Sequence, residues 1–295
     1  MSSISDLTQR LEINEKKLGS LVSRAPFLYR TILVQKSGGK MRILSVPHND
    51  LKKLQQKLLT EIFYKVRLPN YLHGGILKKS IITNARSHIN QQWVINFDIK
   101  SFFPSIRISK IEKAIQKHFP IEWCNAIVRL ITHNHCLPQG APTSPFVSNL
   151  IFLDHDRAIF NFCRENHLNY TRYFDDITVS GKHATKFVVP ISKIIEQSGL
   201  KINKDKLLVQ PRQTAQYVTG LIVNKRLTAP PGMIQEIIDF IDVFTISGMQ
   251  AFATAFPIKE LDSLRGKISF INQTDKKLSI ELGNKLDRIL KEIDF

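Results

Sequence analysis

The stretch Asn169-Tyr170-Thr171-Arg172-Tyr173-Phe174-Asp175-Asp176-Ile177-Thr178-Val179 decides the fold. Two apolar, β-prone runs, Asn169 to Tyr173 and Ile177 to Val179, flank a short tip. This predicts a hairpin with two adjacent carboxylates at its turn. Asp is a favoured turn residue, so the pair alone has an ordinary explanation. The strand predicted at Trp93 to Phe97 shifts that balance, because it closes on a third carboxylate, Asp98. Two adjacent Asp plus one from a neighbouring strand suit a two-magnesium phosphoryl-transfer site. Carboxylate oxygens suit Mg²⁺, and paired ions serve the attacking hydroxyl and the leaving group.

Composition narrows the partner. The chain has 295 residues, 43% hydrophobic and 23% charged, as an ordinary globular protein has, but its net charge is +17. A balance this basic points to a polyanion, most simply nucleic acid. The excess is uneven. Residues 1–94 hold 16 Lys and Arg against 5 Asp and Glu, residues 95–224 hold 16 against 10, and residues 225–295 hold 10 of each. Cys124, Cys136 and Cys163 show no paired spacing, which fits a reducing cytosol. Met1 to Arg10 has no apolar core and no run approaches membrane-spanning length, so the expectation is a cytoplasmic protein with no membrane partner.

Along the chain, Ile4, Leu7 and Leu11 predict a first helix. Leu28 to Gln35 and Met41 to Val46 predict strands around a tight turn at Ser37-Gly38-Gly39. Leu51, Leu54, Leu58, Leu59, Ile62 and Phe63 mark an amphipathic helix whose polar face carries Lys52, Lys53, Lys57 and Lys65. Further helices are expected at Lys78 to Asn90, Pro104 to Lys113, Glu122 to Ile131, Ser144 to Cys163 and Thr185 to Gln197, and short strands at Leu207 to Gln210, Gln216 to Val218 and Leu221 to Val223. Beyond Pro230-Pro231 the pattern is wholly helical. The period and the charge both change near Lys225, which sets a boundary there.

Four more segments join the carboxylates. Phe103 follows the Asp98 strand, where a bulky ring lies beneath a nucleotide sugar or simply in the core. Leu137-Pro138-Gln139-Gly140 is a rigid loop before a helix, placing a Gln to bond a base or sugar. Lys201, Lys204 and Lys206 gather ammonium groups in a short loop suited to a leaving pyrophosphate or to solvent. Lys36-Ser37-Gly38-Gly39-Lys40-Met41-Arg42 is a glycine tip with cations on both arms, suited to a triphosphate, without P-loop spacing. His133-Asn134-His135-Cys136 lacks further zinc ligands at suitable spacing, and Asp154-His155-Asp156 is turned to different faces by its helix.

In this order, over residues 28 to 224, these elements resemble the fingers and palm of reverse transcriptases. Asn84-Ala85-Arg86-Ser87-His88 resembles the NAxxH element, and Val218-Thr219-Gly220 the VTG element, of retron-type reverse transcriptases. The resemblance implies an α+β right-hand fold: fingers with an N-terminal helix at 1–94, an antiparallel palm at 95–224 with a helical insertion at about 106–136, and a helical thumb at 225–295. It implies Asp98, Asp175 and Asp176 as catalytic residues, with Asp98, Ile99, Asp175 and Asp176 at two Mg²⁺ ions. Lys36, Arg42, Phe103, Gln139, Gly140 and Lys206 would bind the dNTP, with Phe103 as the gate against a ribose 2′-hydroxyl. Asn84, His88, Tyr173, Val218, Thr219 and Gly220 would meet nucleic acid, and Tyr217 to Leu221 falls at the primer grip.

The resemblance further implies a cognate structured non-coding RNA as template and primer, priming from a guanosine 2′-hydroxyl, a branched RNA–DNA product (msDNA), an effector protein and a bacterial anti-phage role. Phe174 departs from the small residue, usually Ala, that retron enzymes carry between the Tyr and the Asp pair. Alternatives share parts of the pattern. An intron-encoded or abortive-infection reverse transcriptase has the same chemistry. A viral-type RNA-dependent RNA polymerase has the triad without a use for the sugar gate. A non-catalytic RNA-binding scaffold has no need of the triad.

Overall fold

The computed structural model describes residues 3–35, 39, 41–255 and 258–293, and for 244–255, 258–260 and 292–293 the backbone alone. The chain opens with α1 (Ile4–Leu11) and α2 (Glu15–Arg24). Ser3 and Asp6 form a reciprocal capping box on α1, and Asn14 caps α2, satisfying amides that the first turns leave free. The second helix is not among the sequence expectations, although Leu18 and Leu21 are the buried residues that hold it. The antiparallel finger hairpin follows, β1 (Tyr29–Gln35) with β2 (Met41–Pro47), registered from Tyr29 opposite Pro47 to Gln35 opposite Met41. Leu33, Met41 and Ile43 on it are exposed.

α3 (Asn49–Lys57) is shorter than its apolar stripe suggests, because the chain widens into a π turn at Leu58–Ile62 and then tightens at Phe63–Lys65. Of its cationic face, Lys52 and Lys53 are exposed, whereas Lys57 pairs with Glu12 at 2.5 Å. α4 (Ile81–Arg86) is also shorter than expected. Ser80 and Thr83 cap its start reciprocally, and left-handed Asn90 turns the chain towards the sheet.

A four-stranded sheet forms the centre, ordered β4 (Asn169–Tyr173), β5 (Asp176–Gly181), β3 (Trp93–Asp98), β6 (Leu208–Pro211), every neighbouring pair antiparallel. Strand alternation divides two cores. Ile95 and Phe97 face the main core, built with Phe146, Val147, Leu150 and Ile159 of α8 (Ser144–Glu165). Val94 faces a smaller core with Ile82 and Ala85 of α4 and Val218 and Leu221 of the hairpin β7 (Tyr217–Val218) and β8 (Leu221–Ile222). The helix expected from Pro104 is two elements, α5 (Phe102–Ser105) and α6 (Ile108–His118), and α7 (Ile121–Ile131) follows. After the β4–β5 hairpin, a 3₁₀ turn at Ala184–Phe187 leads into α9 (Val188–Gln197).

α10 (Pro231–Ala255), α11 (Ile258–Asn272) and α12 (Lys276–Ile293) close the chain. They have their own core, with Ile237 and Ile241 from the first helix, Leu264, Ile268 and Ile271 from the second, and Leu282 and Leu286 from the third. Among the described residues, no helix is long and apolar enough to cross a membrane.

Candidate active site

Register builds the site. In the β3–β5 pair, Phe97 lies opposite Ile177 and Asp98 opposite Asp176, so the carboxylates leave the ends of the two central strands side by side. Asp175 lies in the β4–β5 turn, and its carbonyl accepts the Ile99 N–H at 3.1 Å, which ties the turn to the residue after Asp98. Phe174, before it, takes the left-handed conformation at φ 56°, unusual for a bulky residue, and tightens the turn. Gly74 makes room for that ring, since a Cβ there would stand 2.6 Å from Phe174 Cδ1 and 2.6 Å from its backbone nitrogen.

The electrostatics are unfavourable in isolation, as expected of like charges brought together for a ligand. Burial raises the pKa of Asp175, and the charge of Asp98 raises it further. Asp176 is pushed up to about 7, by burial first and then by Asp175 and Asp98. Lys206 partly offsets this, its Nζ lying 3.0 Å from Asp98 Oδ1. Asn203 holds the same residue from below, donating its side-chain amide to Asp98 Oδ2 at 3.2 Å and its backbone N–H to the Asp98 carbonyl at 2.8 Å. Among Lys201, Lys204 and Lys206, only Lys206 lines the cleft and pairs with the triad.

A cleft of about 420 Å³ opens over these groups, lined by Arg42 of the finger hairpin, Asp98, Ile99, Phe103, Gln139, Asp175, Asn203 and Lys206. Ser101, left-handed at φ 51°, reverses the chain after β3 and so brings Phe103 under the cleft. Phe103 also packs edge-on against Phe102 and lies 6.3 Å, centroid to centroid, from Phe174. The Gln139 carbonyl accepts the Ser45 N–H at 2.8 Å, joining the loop to β2. Gly140 serves that junction: its φ is 125°, and a Cβ would come within 3.1 Å of the Ser45 carbonyl oxygen. Lys36 lies outside the described residues.

The donor set fits a hard divalent cation, being carboxylate oxygens whose charges repel without one. Among the described residues, no three His, Cys, Asp or Glu side chains form a ready metal cage.

Three of the residues expected at nucleic acid, Asn84, His88 and Val218, are buried in this structure. His88 is fully buried, its ring nitrogens 2.7 Å from Ser180 Oγ and 2.8 Å from Thr171 Oγ1. Asn84 and Val218 are also fully buried. The VTG segment packs on α4, which leads into the NAxxH segment: the Thr219 hydroxyl donates to the Ile81 carbonyl at 3.1 Å, and Val218 shares a core with Ala85. Gly220 is exposed, Thr219 and Tyr173 are half-buried, and Tyr217, at the expected primer grip, is exposed. Sequence reasoning missed Asn203, whose signal was only its place among the lysines, and Arg172 with Asp156, which are buried under the hairpin.

Residues 34–220 match the family model described as reverse transcriptase (RNA-dependent DNA polymerase). The chain is 31% identical over 231 residues to the retron Ec86 reverse transcriptase of Escherichia coli, covering 76% of this chain and 72% of that protein. It is 30% identical over 237 residues to the retron Se72 reverse transcriptase of Salmonella heidelberg, covering 76% of this chain and 62% of that one. A solved structure of apo telomerase from Candida tropicalis, truncated from its C-terminal domain, superposes with a TM-score of 0.50 at 12% identity. It covers 74% of this chain and 60% of that chain, a likeness of fold alone.

The chain belongs to the reverse transcriptase family, in its retron-type branch. Its fold is the right-hand polymerase fold, and its chemistry that of an RNA-directed DNA polymerase, a nucleotidyltransferase family that works with divalent metal ions.

Proposed function

We propose that this chain copies a cognate structured RNA into DNA at the cleft between the finger hairpin and the central sheet, using Asp98, Asp175 and Asp176 with two Mg²⁺ ions. The reading is carried by one observation: the antiparallel register sets Asp98 beside Asp176 while Asp175 lines a cleft shared with Arg42, Phe103, Gln139 and Lys206. Asp98, Asp175 and Asp176 would hold the ions, with the Ile99 backbone beside them. Bound there, the ions would activate the primer hydroxyl and neutralise the phosphoryl group and leaving pyrophosphate. Arg42, with Lys36, neutralises the triphosphate, and Phe103 closes the space a 2′-hydroxyl needs. Gln139 orients the incoming nucleotide, Gly140 lets its loop close on the fingers, and Lys206 moves from Asp98 to the departing phosphates.

The domain division that goes with this is fingers at 1–94, palm at 95–224 with the helical insertion at about 106–136, and thumb at 225–295. The separate C-terminal core and the charge step near Lys225 support it. The relatives are named as bacterial retron enzymes, and the proposal extends to a retron system in the bacterial cytoplasm. In it the RNA serves as template and primer, the product is a branched RNA–DNA hybrid, dNTPs are the substrates, and an effector protein completes an anti-phage function.

The test is to purify the protein with its bound nucleic acid, digest with ribonuclease, and look for DNA joined to residual RNA. Asp175→Ala should keep the RNA and lose the DNA. RNA alone from the wild-type protein favours a binding scaffold, and DNA undiminished in the variant moves the chemistry away from this hairpin.

A further inference from the structure

Beneath the β4–β5 turn lies an ion pair that the chemistry above does not use. Arg172 and Asp156 are buried, their side chains 0% and 2% exposed. Arg172 Nε donates to Asp156 Oδ1 at 2.7 Å and Nη2 to Oδ2 at 2.6 Å, a bidentate pair between β4 and α8. The Tyr170 hydroxyl donates to the same carboxylate at 2.5 Å. The guanidinium lies over the Phe152 ring, 5.6 Å from its centroid. The remaining nitrogen does not turn back to the helix. Nη1 donates to the Phe174 carbonyl at 3.0 Å, the peptide that leads directly into Asp175.

The backbone of Arg172 is itself fixed from the far side. Its N–H donates to the Tyr71 carbonyl at 3.0 Å, and its carbonyl accepts the His73 N–H at 2.9 Å. The turn is thus gripped at two successive carbonyls, Phe174 by Arg172 and Asp175 by the Ile99 N–H. One grip is referred to α8 and the other to β3. We propose that Arg172, oriented by Asp156 and Tyr170, is a positioning residue that fixes the Asp175-Asp176 turn against Asp98. This rests on the reading of that turn as the catalytic one.

Two facts favour this over simple core packing. A buried ion pair is weak as a stabilising device, since apolar groups of the same volume often serve as well or better. The planar fork of arginine spans a carboxylate and a carbonyl in fixed geometry, whereas a lysine is a point charge on a flexible stem. The pair is therefore better suited to direction than to stability.

Two variants separate the possibilities. The triple change Asp156→Leu, Arg172→Met, Tyr170→Phe removes the pair without leaving a buried charge. Arg172→Lys keeps the charge opposite Asp156 and loses the fork. Hydrogen exchange by mass spectrometry over residues 173–178 reads the turn without any turnover, and primer extension gives kcat and the dNTP KM. In a folded variant the turn amides should exchange at least about tenfold faster while α8 stays protected. The kcat should fall by about tenfold or more, with KM changed less than about threefold. Unaltered turn exchange and kcat in a folded triple variant overturn the proposal. If the triple variant does not fold, Arg172→Lys decides alone, and wild-type exchange and kcat in it overturn the proposal equally. Asp175→Asn is the control for the underlying reading: it should abolish extension while leaving turn exchange as in the wild type. An active Asp175→Asn would sink the reading of the site, not the brace.

Discussion

The two ends of strand β5 are built on opposite principles. At one end Asp176 stands across from Asp98 and next to Asp175, and burial first, then the nearness of the other carboxylates, lifts the pKa of the hairpin pair. At the other end Ser180 meets His88, which also bonds Thr171, in a fully buried and mutually satisfied set. Burial holds the His88 pKa down to about 3, so the ring is neutral and the network carries no net charge. One strand thus carries stored repulsion at its functional end and a closed polar network at its supporting end. Perturbed carboxylates mark where a ligand completes the structure, and satisfied buried polar groups mark where the structure completes itself.

The largest test breaks the charged end. Asp176→Asn should lower primer extension by about 10³-fold or more, while the metal-free protein gains stability at neutral pH. The Asp176 pKa is raised on folding, so the folded state holds a proton that the unfolded chain releases. Its contribution to stability is full below about pH 4 and is lost as pH rises through about 7. The variant should therefore be more stable than wild type by about 4 kcal/mol in chelator at pH 7.5, and the gap should nearly close at pH 4. Denaturant melts at the two pH values measure it. Equal stabilities at both would mean that neither burial nor the neighbouring carboxylates raise the Asp176 pKa on folding.

That contrast also marks what the sequence could and could not tell. The charged end was legible because hairpin chemistry, a short apolar strand and an Asp pair are local patterns. The right-hand fold was what the resemblance carried by those patterns implied, and the helical period beyond Pro231 matches the three helices described there. The supporting end was not legible. His88 and Ser180 are 92 residues apart, and nothing local shows that a histidine after a short helix will be buried behind the sheet. A residue in a sequence element shared with nucleic-acid enzymes suggests a nucleic-acid contact, and nothing local shows that Asn84, His88 and Val218 lie buried in the folded chain. The Asp156–Arg172 pair failed for the same reason. Helix spacing correctly separated Asp154 from Asp156, sending the first to Lys117 on the surface, but it could not show that the second meets an arginine from β4.

The second test breaks the neutral end. The folded His88 pKa lies far below that of the unfolded chain, so the unfolded chain takes up a proton first as pH falls. The resulting stability is present above about pH 6.5 and lost on acidification towards 3. Between pH 7.5 and pH 5 this one residue should cost about 2 kcal/mol of wild-type stability. His88→Gln keeps hydrogen-bonding groups near Ser180 and Thr171 without the titration. Its stability should differ less between the two pH values, by about that amount, although it is less stable than wild type at pH 7.5. An acid sensitivity as steep as the wild type's would place the responsible group elsewhere.

The smallest expected effect falls on Phe103, which belongs to both kinds of region. Its ring lines the cleft beside Asp98, and it also packs edge-on against Phe102 and near Phe174. As core alone, its removal would cost stability and leave substrate choice untouched. As a gate, Phe103→Ala should raise ribonucleotide incorporation relative to dNTP by about tenfold, close to 1.4 kcal/mol of discrimination. Loss of a half-buried ring should also cost about 1–2 kcal/mol of stability. Competition between rNTP and dNTP on one primed template separates the two effects, because instability lowers both rates together and only the gate changes their ratio. Phe174 sharpens the reading. Its ring lies 6.3 Å from that of Phe103, centroid to centroid, at the position where the sequence resemblance implies a small residue, so Phe174→Ala should shift the same ratio in the same direction by a smaller factor. A ratio that moves in neither variant returns Phe103 to packing and leaves the nucleotide sugar to be read by another wall of the cleft.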